Sequence, residues 1–301
     1  MTVRNIVTGA FSYTGKHVAE RLLAMGEEVV ALTNHPDRPD PFNGAVQAIP
    51  YAFDDPAALA DSFRGAKTLY TTYWIRFARG SATFENAVAN TRTLLAAAKD
   101  AGVQRVVHVS VTNASLDSPL PYFAGKAQQE DLVRASGLSY AIVRPTLVYG
   151  TDDVLVTNIA WFLRRFPVFP IANGDYRVQP VSVDDLADLM VSVGHENTDR
   201  TLDAAGPDVL TFRALVETLR DAMGTRSRIV EIPASLLNLI SKGASLATRD
   251  TVLTPDEIRG LTASLLVVDG PPTTPTRFAD WAAANATELG LHYASEIRRH
   301  F

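Results

Sequence analysis

The segment TGAFSYTG, Thr8 to Gly15, constrains this chain more than any other. It follows a short apolar run, Val3 to Thr8, and leads into residues whose apolar members, Val18, Leu22 and Met25, recur at helical spacing until Gly26. Glycine at the end of the strand, Gly9, permits a sharp turn, and Gly15 at the helix start permits close packing of helix on strand. The helix N-terminus then offers unpaired N–H groups and a partial positive charge to a pyrophosphate. Phe11, Ser12, Tyr13 and Thr14 complete the candidate phosphate loop. The same turn also occurs in α/β proteins that bind no nucleotide. Its place at the first strand-to-helix junction of a chain that continues β-α-β favours the phosphate reading.

The alternation continues. Strand-like runs are expected at Val29–Thr33, Val46–Tyr51, Thr68–Tyr73, Arg105–Ser110 and Tyr140–Arg144. Helices are expected after Asp55, where Pro56 occupies a first-turn position, at Phe84–Ala101 and at Gly125–Ser136. This predicts an α/β fold: a Rossmann-type, doubly wound parallel sheet. After Gly150 helices dominate, with isolated strands near Val178–Val181, Leu202–Ala204 and Ile229–Ile232, and a capping box at Thr254–Glu257. The expected division is a nucleotide-binding domain over residues 1–150 and a smaller, mostly helical substrate or cap region over 151–301. Part of 175–205 is expected to return to the sheet.

The 301 residues, 47% hydrophobic and 20% charged, suffice for a sizeable core. The absence of cysteine excludes disulfides, thiolate catalysis and cysteine-ligated metals. The six histidines show no metal-ligand spacing, so no metal is expected. A net charge of −5 without charge runs gives no sign of a nucleic-acid partner. No apolar run reaches membrane-spanning length and the opening residues lack a signal-peptide pattern, so a cytoplasmic protein is expected.

Tyr122 and Lys126 stand four residues apart, on one face of a helix between the fifth and sixth strands. An ammonium beside a phenol favours the phenolate, so such a tyrosine can pass a proton to or from a carbonyl or hydroxyl. A hydroxyl at the end of the fifth strand would complete the site. Thr112 is the first choice and Ser110 the second. At the end of the second strand, Thr33-Asn34-His35 lacks the acidic residue that accepts from the ribose 2′-OH of NAD. Asn34 and Arg38 suit a 2′-phosphate, so NADP(H) is preferred and NAD(H) allowed. Arg38 is equally readable as a solvated loop residue. Trp74, Tyr73 and Phe77 follow the fourth strand. Trp161, Phe162 and the FPVFP run (166–170) either line an apolar pocket or pack the two halves together, and the second is favoured. Asp184 and Asp185 are expected to cap the helix they precede.

TGAFSYTG, HVSVTN (108–113), YFAGK (122–126), RPTLVYG (144–150) and QPVSVDDLA (179–187) together resemble the short-chain dehydrogenase/reductase superfamily. The chain is similar to its extended or atypical branch, described as NAD-dependent epimerase/dehydratase-like, and to the group containing the accessory NADPH-binding subunit of complex I. The resemblance implies Tyr122 as acid/base, Lys126 also binding the nicotinamide ribose, and Thr112 orienting a small-molecule substrate. Asn90 and Pro145 match family cofactor positions. Phe53, after Ala52 at the strand-three position usually held by aspartate, and Thr71 join the candidate cofactor residues. A homodimer is allowed by analogy. Two functions follow: an NAD(P)(H)-dependent oxidoreductase or epimerase/dehydratase-like enzyme, or a non-catalytic NADP(H)-bound assembly, scaffold or sensor protein. The Tyr122–Lys126 pair favours the first. Ser12 in place of a loop glycine, Ala52 in place of the strand-three aspartate, and the short Thr112–Tyr122 stretch favour the second.

Overall fold

The computed structural model describes residues 2–300. In chain order the elements are β1 (Arg4–Thr8), α1 (Tyr13–Ala24), β2 (Glu28–Thr33), β3 (Val46–Pro50), α2 (Pro56–Ser62), β4 (Thr68–Thr71), α3 (Phe84–Asp100), β5 (Arg105–Val109), α4 (Pro121–Ala135) and β6 (Ser139–Pro145). There follow β7 (Leu147–Tyr149), α5 (Leu155–Arg165), β8 (Val168–Ala172), β9 (Arg177–Val178), β10 (Pro180–Ser182), α6 (Val183–Gly194), β11 (Arg200–Ala204), β12 (Leu210–Thr211) and α7 (Phe212–Ala222). The last are β13 (Arg228–Ile232), α8 (Ala234–Thr248), α9 (Pro255–Thr262), α10 (Phe278–Ala284) and α11 (Glu296–His300).

These form two compact units: Met1–Pro145 with Leu186–Asp203, and Thr146–Asp185 with Ala204–Phe301. The first holds a seven-stranded sheet in the order β11-β6-β5-β4-β1-β2-β3. Every neighbouring pair from β6 to β3 is parallel. The strand order reverses between β1 and β4, the point where α/β folds place ligands at the carboxyl edge. Ile6, Leu32, Leu69, Val106 and Ile142 come from five adjacent strands and are buried against Leu59 of α2 and Leu94 of α3. Near-continuous apolar strands of this kind need both faces covered.

Several element limits differ from those expected, most by a single residue, and three bear on the site or its surroundings. β4 ends at Thr71, because Thr72 turns its polar groups to the end of β1: its N–H donates to Thr8 Oγ1 (2.7 Å) and its hydroxyl to the Thr8 carbonyl (2.6 Å). α4 begins at Pro121, four residues before the expected start, with proline in its first turn. Gly125 is therefore interior to it, where a Cβ would lie 2.6 Å from the Trp74 ring. Asp184 and Asp185 lie in the first turn of α6, which opens at Val183, and Asp185 accepts from the Thr276 N–H and hydroxyl at 3.0 and 2.8 Å.

The second unit carries three two-stranded pairs, β10-β7, β12-β9 and β13-β8, among its helices. Tyr149, Ile159, Leu163, Ile171, Leu215, Leu219 and Phe278 form its core. The expected capping box is present: Thr254 and Glu257 satisfy each other's backbone N–H groups at the start of α9.

Candidate functional site

The turn between β1 and α1 is built on backbone approaches that only glycine permits. Gly9 has φ +65°, and its N–H donates to the Leu32 carbonyl (2.9 Å). A Cβ on Gly15 would lie 2.3 Å from the Gly9 carbonyl oxygen. Ser12, at the N-cap of α1, donates its hydroxyl to the Gly9 carbonyl (2.7 Å) and caps no helix N–H, and the first turn holds no carboxylate. An uncapped helix end with no acid beside it suits a phosphate anion. The loop thus fits the pyrophosphate of a dinucleotide with Ser12 in it.

Beyond β2, Asn34 is exposed and Arg38 half-buried. Burial lowers the Arg38 guanidinium. Two acids, Asp37 and Asp40, flank Arg38 in the sequence, and Asp40 accepts from the N–H groups of Phe42 and Gly44 in its own loop. Phe11 packs on Phe42, with ring centres 6.0 Å apart. Phe53 stacks on Tyr51 at 4.8 Å, and both rings meet Tyr73. Asn90 donates to the Tyr73 hydroxyl (2.8 Å), and burial raises both Tyr51 and Tyr73. Phe53, Tyr73 and Asn90 are in this way brought into one cluster beyond the ends of β3 and β4.

The second cluster lies where β5 meets α4. Lys126 is 2% exposed, and its Nζ donates to the Val109 carbonyl (2.7 Å) and lies 4.9 Å over the Trp74 ring. Burial lowers the ammonium to about 7, with the Glu130 carboxylate working in the other direction. Tyr122, one turn earlier, meets Trp74 edge-on at 5.9 Å and Phe84 at 6.3 Å. Thr112 is buried and its N–H donates to the Pro145 carbonyl (3.0 Å), which brings these two residues together. The chain then turns at Asn113, φ 57°. Thr71 and His108 are cross-strand partners and both are buried; burial, and then Lys126, hold His108 in its neutral form.

Ser110 is differently placed. Its hydroxyl donates to Glu130 Oε1 (2.6 Å). Glu130 is 1% exposed and also accepts from Arg144 (2.7 and 2.5 Å) and Arg134 (2.8 Å). Burial pushes this carboxyl upward, but the hydrogen bonds from Arg144 and Ser110 outweigh it and hold the group below its ordinary value. Sequence reasoning passed over Glu130, although it continues the four-residue spacing of Tyr122 and Lys126. Of the aromatics read as lining a pocket or packing the halves together, Trp161, Phe162, Phe166 and Phe169 line a cavity inside the second unit, whereas Trp74 packs on Phe84 and Tyr122 in the first. Among the described residues no group of acidic or histidine side chains is arranged to hold a metal, and no helix is long and apolar enough to cross a membrane.

Comparison with known proteins decides the family. The NAD(P)H-binding family model matches residues 9–196, from the glycine turn through α6. The chain belongs to the NAD(P)H-binding family. It is of the extended short-chain dehydrogenase/reductase kind, and its ligand class is a nicotinamide dinucleotide. It is 25% identical over 292 residues to the mitochondrial NADH dehydrogenase (ubiquinone) 1 alpha subcomplex subunit 9 of Arabidopsis thaliana, spanning 87% of this chain and 70% of that protein. It is 24% identical over 273 residues to the ceramide reductase of Caulobacter vibrioides, spanning 89% and 86%. The alignments to several further curated relatives cover 23% to 52% of those proteins. In fold it is similar to an NADPH-dependent quinone oxidoreductase of Escherichia coli solved with NADPH, with a TM-score of 0.75 at 21% identity over 94% of this chain and 99% of that one.

Proposed function

We propose that this NAD(P)-binding protein is an NADP(H)-dependent oxidoreductase of the short-chain type, acting on a small carbonyl or hydroxyl compound. Epimerase- or dehydratase-like turnover by transient hydride transfer is a variant of the same chemistry. The observation that carries the reading is the buried Lys126 ammonium, one helical turn from Tyr122 at the carboxyl edge of the sheet. A desolvated lysine is costly to keep, and such groups cluster at sites where protons move.

In this reading Tyr122 is the acid in reduction and the base in oxidation. Its O–H bond breaks as the carbonyl oxygen gains a proton and the carbonyl carbon gains a hydride. The nicotinamide, when bound, supplies that hydride or takes it back. Lys126, anchored by the Val109 carbonyl, favours the phenolate left on Tyr122, and its lowered proton affinity lets it exchange a proton near neutrality. Thr112 orients the substrate oxygen. Ser110, already committed to Glu130, has a structural role. Gly9, Phe11, Ser12, Tyr13, Thr14 and Gly15 would hold the pyrophosphate, and Asn34 and Arg38 the 2′-phosphate. Phe53, Thr71, Asn90 and Pro145 would line the rest of the cofactor.

A second reading, a nicotinamide-bound assembly or sensor protein without turnover, is favoured by the similarity to a subunit of NADH dehydrogenase. Tyr122→Phe separates the two. The expected result is unchanged NADPH affinity and at least a hundredfold loss of NADPH oxidation with a carbonyl found by screening. Equal turnover in Tyr122→Phe would remove the tyrosine from the mechanism. Tight NADPH binding by the native protein, with no turnover across a broad carbonyl panel, would favour the second reading.

A further inference from the structure

The cavity in the second unit has a volume of about 490 Å³. Its walls are α5, β8 and the facing side of α8, with Trp161, Phe162 and Phe169 opposite Gly243, Ala244 and Ala247. Among the described residues no charged side chain lines it. Most of its polar side chains are already engaged by the protein. Asn158 exchanges both of its amide groups with the Ala294 backbone (2.9 and 2.8 Å). Thr248 and Thr262 donate to the carbonyls of Ala244 and Ile258, each at 2.8 Å. Tyr176, raised to about 12 by burial, is hydrogen-bonded to the Ala172 backbone. Ser241 adds one further hydroxyl. A void of this composition offers water few partners, and apolar cavities of even ~150 Å³ stay dry and take apolar ligands. Its size falls within the range of about 300–1,000 Å³ common to small-molecule sites.

The cavity has an apolar approach. Ile240 both lines it and is 42% exposed, and Leu239 on the same helix is 65% exposed. Large apolar residues at the surface of a helix that also forms a cavity wall mark a path for a molecule that leaves water. We propose that the second unit binds the hydrocarbon chain of a single lipid-like amphiphile, with the chain between α5 and α8 and the polar end toward solvent. All of the residues that line the site belong to the second unit.

The test is titration of the full-length protein with cis-parinaric acid, a polyene fatty acid whose emission rises in apolar surroundings, followed by competition with a saturated long-chain alcohol. One saturable site is expected, competed by the alcohol and retained on gel filtration without vesicles. Gly243→Phe should weaken it at least tenfold. Gly243 lies on the cavity lining at an exposed position, and a Cβ there meets no atom within 4 Å, so a ring is added at the cavity's edge without a clash and unchanged NADPH binding reports that the protein is intact. Val209→Lys, at an exposed position of the same unit that does not line the cavity, should leave probe affinity within about twofold. Ala247→Phe provides a second filling variant if Gly243→Phe fails to fold. Absence of saturable binding, binding seen only to phosphatidylcholine vesicles, or loss in Val209→Lys but not in the filling variants would overturn the proposal.

Discussion

The Ser110 hydroxyl donates to Glu130 at 2.6 Å, and this bond separates two hydroxyls that follow one another at the end of β5. Ser110 is part of a buried network in which one carboxylate is shared by Arg134 and Arg144. Thr112 takes no part in that network. Ser110→Ala is therefore expected to cost about 1.5–3 kcal/mol of stability, the range for a hydrogen bond to a charged group, and to leave turnover within a fewfold of native. Thr112→Ala is expected to lower turnover about a hundredfold, as for loss of a donor to a developing oxyanion, with a smaller effect on the melting midpoint. Urea denaturation and NADPH oxidation of the two variants check this. The reverse pattern would make Ser110 the orienting group.

Lys126 gives the protein a pH dependence with a definite sign. Its proton affinity is lowered to about 7 when folded, against about 10.4 in an unfolded chain. Below pH 7 both states carry the proton, and the cost of burying the charge is fully present. Between about 7 and 10.4 the folded state has released a proton that the unfolded state still binds, so stability rises with pH. The full swing is on the order of 5 kcal/mol at most. Lys126→Met, which keeps much of the apolar stem, should be more stable than native at pH 7 by part of this amount, and the two curves should converge toward pH 10. Urea midpoints at half-unit steps measure the difference. Parallel curves would mean that Lys126 remains charged throughout.

The strand-helix alternation and the glycine turn were legible because each is encoded locally: a φ of +65° at Gly9 and a 2.3 Å approach at Gly15 demand glycine whatever surrounds them. The Tyr122–Lys126 spacing was legible for the same reason. The environment of that pair was not. Trp74 reaches Gly125 only because β4 ends early and the chain turns over α4, and Arg144 reaches Glu130 only through the β5–β6 register that sets Val109 opposite Val143. Such pairings depend on register, which no local pattern specifies. The aromatics at 161–169 are similar: their spacing does not distinguish a packed interface from the wall of a cavity.

Gly15→Ala tests the phosphate loop with one methyl group. The added carbon would lie 2.3 Å from the Gly9 carbonyl oxygen, with the Thr8 carbonyl at 2.9 Å, and both obstacles are backbone, so α1 and the loop must separate. In the binding mode proposed, that displacement would move the N–H groups at the start of α1 away from the pyrophosphate. NADPH affinity should fall by at least tenfold, and stability by about 1–3 kcal/mol as for other overpacked sites. Nicotinamide fluorescence titration and thermal melting read the two effects separately. Native affinity in this variant would show that the loop does not hold the cofactor's phosphates.

Arg38 should decide between the two cofactors. The residues at and just after the end of β2, Thr33-Asn34-His35, include no acid to accept from a ribose 2′-OH, and Asp40 accepts from two N–H groups of its own loop. A guanidinium on a 2′-phosphate contributes about 1.5–3 kcal/mol as a charge-assisted hydrogen bond, which corresponds to roughly 10- to 150-fold in affinity. Arg38→Ala is expected to weaken NADPH by that factor and to leave NADH unchanged, since NADH has no phosphate there to lose. Asn34→Asp should act in the same direction by repelling the phosphate, and should gain affinity for NADH through the ribose hydroxyl. Titrating both variants with both nucleotides at fixed ionic strength gives four affinities. Equal losses for NADPH and NADH in Arg38→Ala would place the arginine on a part of the cofactor common to both, and the NADP(H) preference would then need another source.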